Sequence, residues 1–415
     1  MRPALSCLAL LALHAGCSYA PIRSTDAGPR RDVGTTERDA SVASDDASPG
    51  EDAARPLDSA IAPDATTPPD DSLWVLGYYP GYQRDLLPPD EVDYASMTHL
   101  VTFSVLPRTD GTLDTSLFID PTSGPALARE LATRAHAAGI EALLTVGGAG
   151  THDGFVSATS PARRAGFVAE IVRITREWGY DGVDLDWEPI LESDQPLLTA
   201  LVDELRAADP ELLITIPIGW ANANTEPVAD AYYAELASRV DRLSIMSYGM
   251  TGPWDGWTAW HSSALDGESG SAPTSVDQSV SAYRAAGVPA ERLGVGVGFY
   301  GQCWRGVTMP GQSVAGATLV ADDNVMRYSH IASAYLDVPS ARHWDASASV
   351  PYLSFASAHG PEGCTYVSYE DAESIAAKVA YARERGLGAL IVWTINQGHL
   401  DDGSDPLLDA IRDAR

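Results

Sequence analysis

The sequence predicts an α/β fold, a (β/α)8 TIM barrel with a small α+β insertion after its seventh strand. Three observations lead there. Eight short apolar runs recur from Leu73 onward, each bounded by Gly, Pro or Asp. Segments of helical period separate them. One connection, at about residues 305–370, is far longer than a barrel crossover needs.

The runs are "LWVLGYY" (73–79), "THLVTFSV" (98–105), "IEALLTVGG" (140–148), "GVDLDW" (182–187), "LLITIPIG" (212–219), "RLSIMSY" (242–248), "RLGVGVGFY" (292–300) and "GALIVWT" (388–394). Their often continuous apolar character suits parallel strands covered on both faces. Between them, Ser160-Pro161 places a proline at the start of a helix whose stripe is Phe167, Ile171, Ile174 and Trp178. Another helix begins near Gln195 and turns Leu197, Leu198, Leu201, Val202 and Leu205 inward. A third carries Val276, Val280 and Tyr283, and a fourth, 371–385, carries Ile375 and Val379. A doubly wound open sheet fits less well, because no glycine-rich nucleotide fingerprint opens a crossover. The long connection contains Tyr328, Tyr335, Trp344, Tyr352 and Phe355, enough to pack a small α+β unit, and Cys303 and Cys364 bracket it.

Three regions follow: residues 1–17, 18–72 and 73–415. Arg2 and the run "ALSCLALLALHA" form an export signal, too short for an ordinary membrane helix. The run ends in "HAGC" and resembles a bacterial lipoprotein signal, which makes Cys17 the expected lipidation site; His14 stands where that motif usually has Leu. Cleavage as an ordinary secretory signal is the alternative. Residues 18–72 are rich in Asp, Ala, Ser, Thr and Pro, with no aromatic residue between Tyr19 and Trp74. Such a segment cannot bury enough apolar surface to offset ordering, so a charged, disordered tether is expected. The expected location is the cell envelope, as a lipoprotein, or the extracellular space. In an oxidising compartment Cys303 and Cys364 are expected to pair; two unrelated buried thiols are the alternative.

The formal charge is −30, from 57 acids against 27 bases, and Lys378 is the single lysine. This excludes nucleic acid as a natural partner, since Lys and Arg are what neutralise phosphates. Membrane contact is expected only through an N-terminal lipid, and the protein is expected to be a monomer.

The segment "DGVDLDWEP" (181–189) carries the chemistry. On a strand, alternate side chains face opposite ways. Val183, Leu185 and Trp187 then face the helices, while Asp184, Asp186 and Glu188 face the barrel interior. A solvent-exposed antiparallel strand would read the same in isolation, but the surrounding βα rhythm covers both faces. Interior carboxylates in a row cannot all ionise, because desolvation and like charge both raise their pKa. Glu188, at the C-terminal end where barrel enzymes work, is placed to be a protonated general acid.

"DGVDLDWE" resembles the DxxDxDxE signature of the family 18 glycoside hydrolases, the chitinase family. The resemblance spans residues 73 to about 412: "LLTVGG" resembles the family's SxGG strand and "IMSYGMTGPWDGWTAWHSSAL" its MxYD segment. "SVDQSVSAYRAAGVPAERLGVGVGFYG" resembles the sixth helix and seventh strand, and "GLGALIVWTINQG" the eighth strand. The resemblance implies Glu188 as the acid, Asp186 orienting the substrate's acetamido group, and Asp184 exchanging a proton with Asp186. It implies Tyr248 as a donor to the acetamido oxygen and Asp181 as a structural residue. No metal or organic cofactor is expected. Trp393 is expected under the distorted sugar, Tyr78 at the close of the first strand, and Trp254 on the leaving side. Tyr300, Gly147, Gly148 and Met246 complete the expected substrate contacts, with Trp257, Trp260 and Trp304 as weaker candidates.

The chain departs from the pattern at several positions. Gly249 replaces the MxYD aspartate, Gln302 the arginine after the seventh strand, and Ala149 the tryptophan after the paired glycines. Phe103 stands one position early, with Ser104 in the usual phenylalanine's place. These changes argue against a processive degrader of crystalline chitin. The expected function is an exported glycosidase cutting β-1,4 bonds beside N-acetylglucosamine. The alternatives are a catalytically silent sugar-binding protein and an endo-acting enzyme on N-glycan or peptidoglycan.

Overall fold

A computed structural model of the chain describes residues 73–224 and 229–415. The expected export signal with Cys17 and the expected tether at 18–72 lie outside the described residues.

The strands in chain order are β1 (Trp74–Pro80), β2 (His99–Pro107), β3 (Leu113–Asp114), β4 (Glu141–Ala149), β5 (Gly182–Glu188), β6 (Leu213–Ile218) and β7 (Arg242–Ile245). They continue with β8 (Leu293–Gly298), β9 (Gln302–Arg305), β10 (Thr318–Ala321), β11 (Arg342–Asp345), β12 (Val350–His359), β13 (Cys364–Ser368) and β14 (Ala389–Trp393). The helices are α1 (Ser123–Ala137), α2 (His152–Ala158), α3 (Arg164–Trp178), α4 (Gln195–Ala208), α5 (Ala231–Ala237), α6 (Val276–Ala285), α7 (Tyr328–Ala334), α8 (Ala372–Glu384), α9 (Ile395–Gly398) and α10 (Pro406–Ala414). Strands β1, β2, β4, β5, β6, β7, β8 and β14 pair in parallel, and β1 closes the ring by pairing with both β14 and β2. This is the predicted (β/α)8 barrel.

The alternation in β5 acts as physical chemistry requires. Val183, Leu185 and Trp187 are fully buried in the layer that also holds Ile171 and Trp178 of α3 and Leu201 of α4. Each such burial contributes about 1.5–3 kcal/mol. At the opposite end from the cleft, Asp181 accepts from His136 Nε2 at 2.7 Å and from the Ala142 amide at 2.8 Å, tying α1 to β4 and β5.

Helix α3 starts at Arg164, not at Pro161. The Ser160 hydroxyl donates to the Ser157 carbonyl, which finishes α2, and residues 160–163 form a turn held by the Arg163 amide on the Ser160 carbonyl. Ser160 is thus spent on the preceding helix and cannot cap the next one. The stripe Phe167, Ile171, Ile174 and Trp178 is buried as the periodicity predicts.

The insertion follows β8, the seventh barrel strand. It is a five-stranded antiparallel sheet in the order β10-β9-β13-β12-β11, with α7 in the connection between β10 and β11. A disulfide joins Cys303 on β9 to Cys364 on β13, with Cα atoms 5.3 Å apart, and closes the base of the unit.

Candidate active site

Strand β5 delivers Asp184, Asp186 and Glu188 to the barrel interior, and all three are buried. The register sets Thr145 of β4 and Thr215 of β6 on either side of Asp184. Their hydroxyls donate to its carboxylate at 3.2 and 2.6 Å, and Tyr78 Oη donates at 2.9 Å. Burial pushes the Asp184 pKa up, the three donors hold it down, and it settles at about 6.

Asp186 lacks such support, and its Oδ1 is buried with no hydrogen-bond partner among the described residues. Burial, then the charges of Glu188 and Asp184, drive its pKa well above the carboxylate range. Burial raises Glu188 to about 7, against the opposing effect of a hydrogen bond with Asp186. Near neutrality Glu188 is therefore partly protonated and Asp184 largely ionised, while Asp186 between them is the carboxyl whose ionisation burial and its two acidic neighbours oppose most.

Glu188 and Asp186 open into a cleft of about 900 Å³ at the C-terminal mouth of the barrel. Tyr78, Gly147, Gly148, Met246, Tyr248 and Trp393, all named from the sequence, line it. The two glycines are required by space and by conformation. Their φ values are 113° and 120°, and a Cβ on Gly147 would meet the Asp186 carbonyl at 2.2 Å, one on Gly148 the Phe103 ring at 2.6 Å. Gly296 of β8 leaves room for the Tyr248 ring, since a Cβ there would stand 2.7 Å from it.

The other expected residues sit elsewhere. Tyr300 is buried behind the wall, edge-on to Tyr248 at 6.1 Å. Trp254 does not line the cleft; it stacks on Trp220 at 6.2 Å and meets Trp257 edge-on at 4.6 Å. Trp304 and Trp260 are core residues, the latter donating to the Thr274 carbonyl. Gln302 is buried and donates to the Thr251 carbonyl.

The structure adds residues that sequence reasoning missed. Thr145 and Thr215 were visible only as polar residues at inward positions of neighbouring strands. Asp323 comes from the insertion and carried no signal. It accepts from Trp393 Nε1 at 3.3 Å, Gln397 Nε2 at 2.8 Å and Asn324 Nδ2 at 3.1 Å. The segment Val320–Val325 around it forms one wall of the cleft. Tyr82, Phe103 and Phe118 line the cleft too.

A closed (β/α)8 barrel with a protonatable carboxyl at its C-terminal mouth, facing an aromatic cleft, is the architecture of the barrel glycoside hydrolases. The chain belongs to the glycosyl hydrolases family 18, whose model matches residues 75–398. It is 31% identical over 261 residues to a "Probable endochitinase" of Caenorhabditis elegans, covering 58% of this chain and 40% of that protein. It is 30% identical over 292 residues to "Chitinase A1" of Niallia circulans, covering 62% of this chain and 40% of that one. The chain thus spans about two fifths of the length of these curated relatives. A solved GH18 chitinase from Cycas revoluta, in complex with (GlcNAc)3, shares the fold with a TM-score of 0.67 over 82% of this chain and 99% of that chain, at 24% identity.

Proposed function

We propose that this protein is an exported glycoside hydrolase that cleaves β-1,4 bonds beside N-acetylglucosamine in chitin or chitooligosaccharides. The observation that carries the reading is the carboxylate column, which ends in Glu188, a residue with a pKa near 7 at an open cleft. Glu188 gives its proton to the glycosidic oxygen as the bond breaks. No second carboxylate is needed as nucleophile: the substrate's acetamido oxygen attacks the anomeric carbon and forms an oxazolinium ion. Asp186 orients the acetamido group and, by passing its proton to the ionised Asp184 beneath it, gains the negative charge that steadies the oxazolinium ion. Glu188 then takes a proton from the water that opens the oxazolinium ring, and configuration is retained. The chitinase relatives, and the (GlcNAc)3 in complex with the cycad chitinase, support the choice of sugar. Export rests on the character of residues 1–17.

Hydrolysis of a fluorogenic chitobioside and chitotrioside, with the product anomer followed by NMR, tests this. Release of the β-anomer first is expected. A protein that binds these sugars and never cleaves them from pH 4 to 9 would be a silent sugar-binding member of the family. Cleavage confined to N-glycan or peptidoglycan would change the substrate and leave the chemistry intact.

A further inference from the structure

Gln83 lies in the loop that leaves β1, next to the exposed Tyr82, yet it is only 4% exposed itself. A buried amide costs free energy unless its polar edges have partners. Here the partners come from two distant parts of the chain. Gln83 Nε2 donates to Asn324 Oδ1 in the insertion, and Thr394 Oγ1, just past β14, donates to Gln83 Oε1 at 2.7 Å. The Gln83 carbonyl also accepts from Asn396 Nδ2 at 3.2 Å.

These bonds close a ring. Asn324 Nδ2 donates to Asp323 Oδ2, and Trp393 Nε1 donates to Asp323 Oδ1. Thr394 follows Trp393 in the chain and returns the path to Gln83. Chemistry gives the ring one direction. Burial raises the Asp323 pKa to about 6, against the bond from Gln397, so near neutrality this carboxylate is ionised and can only accept. Asn324 then turns its N–H group to Asp323 and its oxygen to Gln83. Gln83 answers with its own N–H, which leaves its oxygen for the Thr394 hydroxyl. A glutamate of the same shape could serve Thr394 but not Asn324.

The segment that the ring holds is a turn outside any strand. Strand β10 ends at Ala321, and the chain rejoins the barrel backbone at Met326, whose carbonyl accepts from the Gly301 amide. Between them the Val325 and Met326 amides both fold back on the Asp322 carbonyl, and Asp323 takes a φ of 34°. That left-handed residue turns its side chain inward, while Asn324 and Val325 stay exposed along the cleft.

We propose that Gln83 is a positioning residue that locks residues 322–325 of the insertion to the end of β14, so that barrel and insertion present one fixed cleft to the sugar. Gln83 does not line the cleft and takes no part in bond cleavage; it acts through Asn324, Asp323 and Trp393. The consequence for the sugar rests on the reading of the cleft as an N-acetylglucosamine site.

The test compares wild type with Gln83→Glu, which loses the donor to Asn324, and Gln83→Met, which loses both side-chain bonds. Urea unfolding first establishes that each is folded; should either fail, Thr394→Val opens the same ring from its other side. Hydrogen exchange of the stretch 318–327, measured without sugar, should quicken about tenfold, roughly the loss of one buried hydrogen bond. KM for a fluorogenic chitotrioside should rise by about the same factor with kcat within about twofold, because Glu188 is untouched. Adding Thr394→Val to Gln83→Met should cost nothing further, since both act on one ring. Unchanged exchange, a fall in kcat at constant KM, or additive effects of the two substitutions would overturn the lock and leave the hydrolase reading standing. Faster exchange in the variants of a protein whose wild type neither binds nor cleaves the sugar would overturn that reading and not the lock.

Discussion

Three carboxylates alternate along one strand, and their neighbours hold each in a different state. Asp184 takes three hydroxyl donors and stays low, at about 6, whereas Glu188 has little to oppose its burial and reaches about 7. In the proposed mechanism Glu188 must be protonated and Asp184 ionised. The profile of kcat/KM should therefore be bell-shaped: activity falls above about pH 7 as Glu188 loses its proton, and below about pH 6 as Asp184 gains one. Thr215 supplies the shortest of the three donors, at 2.6 Å. Thr215→Val keeps the shape and removes a bond that favours the ionised form, so the Asp184 pKa rises and the acid limb moves to higher pH. A pH–rate series on both proteins checks this; an unmoved acid limb would assign that limb to another group. Glu188→Gln cannot donate a proton and should lower kcat by about 10²–10⁴ while chitooligosaccharide binding persists, as measured by single-turnover rates and titration calorimetry.

At the scale of elements, the barrel strands were legible because parallel strands buried on both faces leave near-continuous apolar runs, and "LLITIPIG" or "GALIVWT" has few other uses. The start of α3 was not, because Ser160 carries the same signature whether it caps the following helix or closes the one before it. The insertion could be foreseen as a unit, from its length and aromatic content, but not as five antiparallel strands, since its short strands lack a clean alternation. Its bearing on the site was hidden as well. Asp323 and the wall Val320–Val325 reach the cleft through a fold that no local pattern announces. The disulfide Cys303–Cys364 sits at the root of this unit and closes a loop of 61 residues in sequence. Paired replacement Cys303→Ala and Cys364→Ala should lower stability by about 2–4 kcal/mol, by giving the unfolded chain more freedom. Because the wall hangs from that root, KM should rise more than kcat falls. Urea unfolding and steady-state kinetics on the pair measure the two effects, and unchanged stability would mean that the sheet alone holds the base.

Across the whole molecule, the sequence showed that acids outnumber bases by 57 to 27, but not where the single lysine goes. Lys378 is fully buried in α8, paired with the equally hidden Glu370, which lies between β13 and α8 where the insertion returns to the barrel. Ser374 donates to the other Glu370 oxygen at 2.6 Å. Buried His261 and half-buried Asp345 are linked at 3.0 Å; burial lowers the His261 pKa, Asp345 opposes that, and nearby Lys378 adds a smaller lowering. Composition does not say where a lysine goes in so acidic a chain; the fold gives this one a single, fixed carboxylate partner. Two buried charges cost much in desolvation, and their mutual attraction roughly offsets that cost only while both are present. Removing one leaves the other charge buried alone. Lys378→Met and Glu370→Gln should each destabilise the protein by about 3–5 kcal/mol, and Lys378→Met combined with Glu370→Leu should recover most of the loss. Urea denaturation followed by tryptophan fluorescence on the three variants decides it. If the double variant were as unstable as the singles, the pair's value would lie in net attraction rather than in mutual neutralisation, and the junction between insertion and barrel would depend on charge as such.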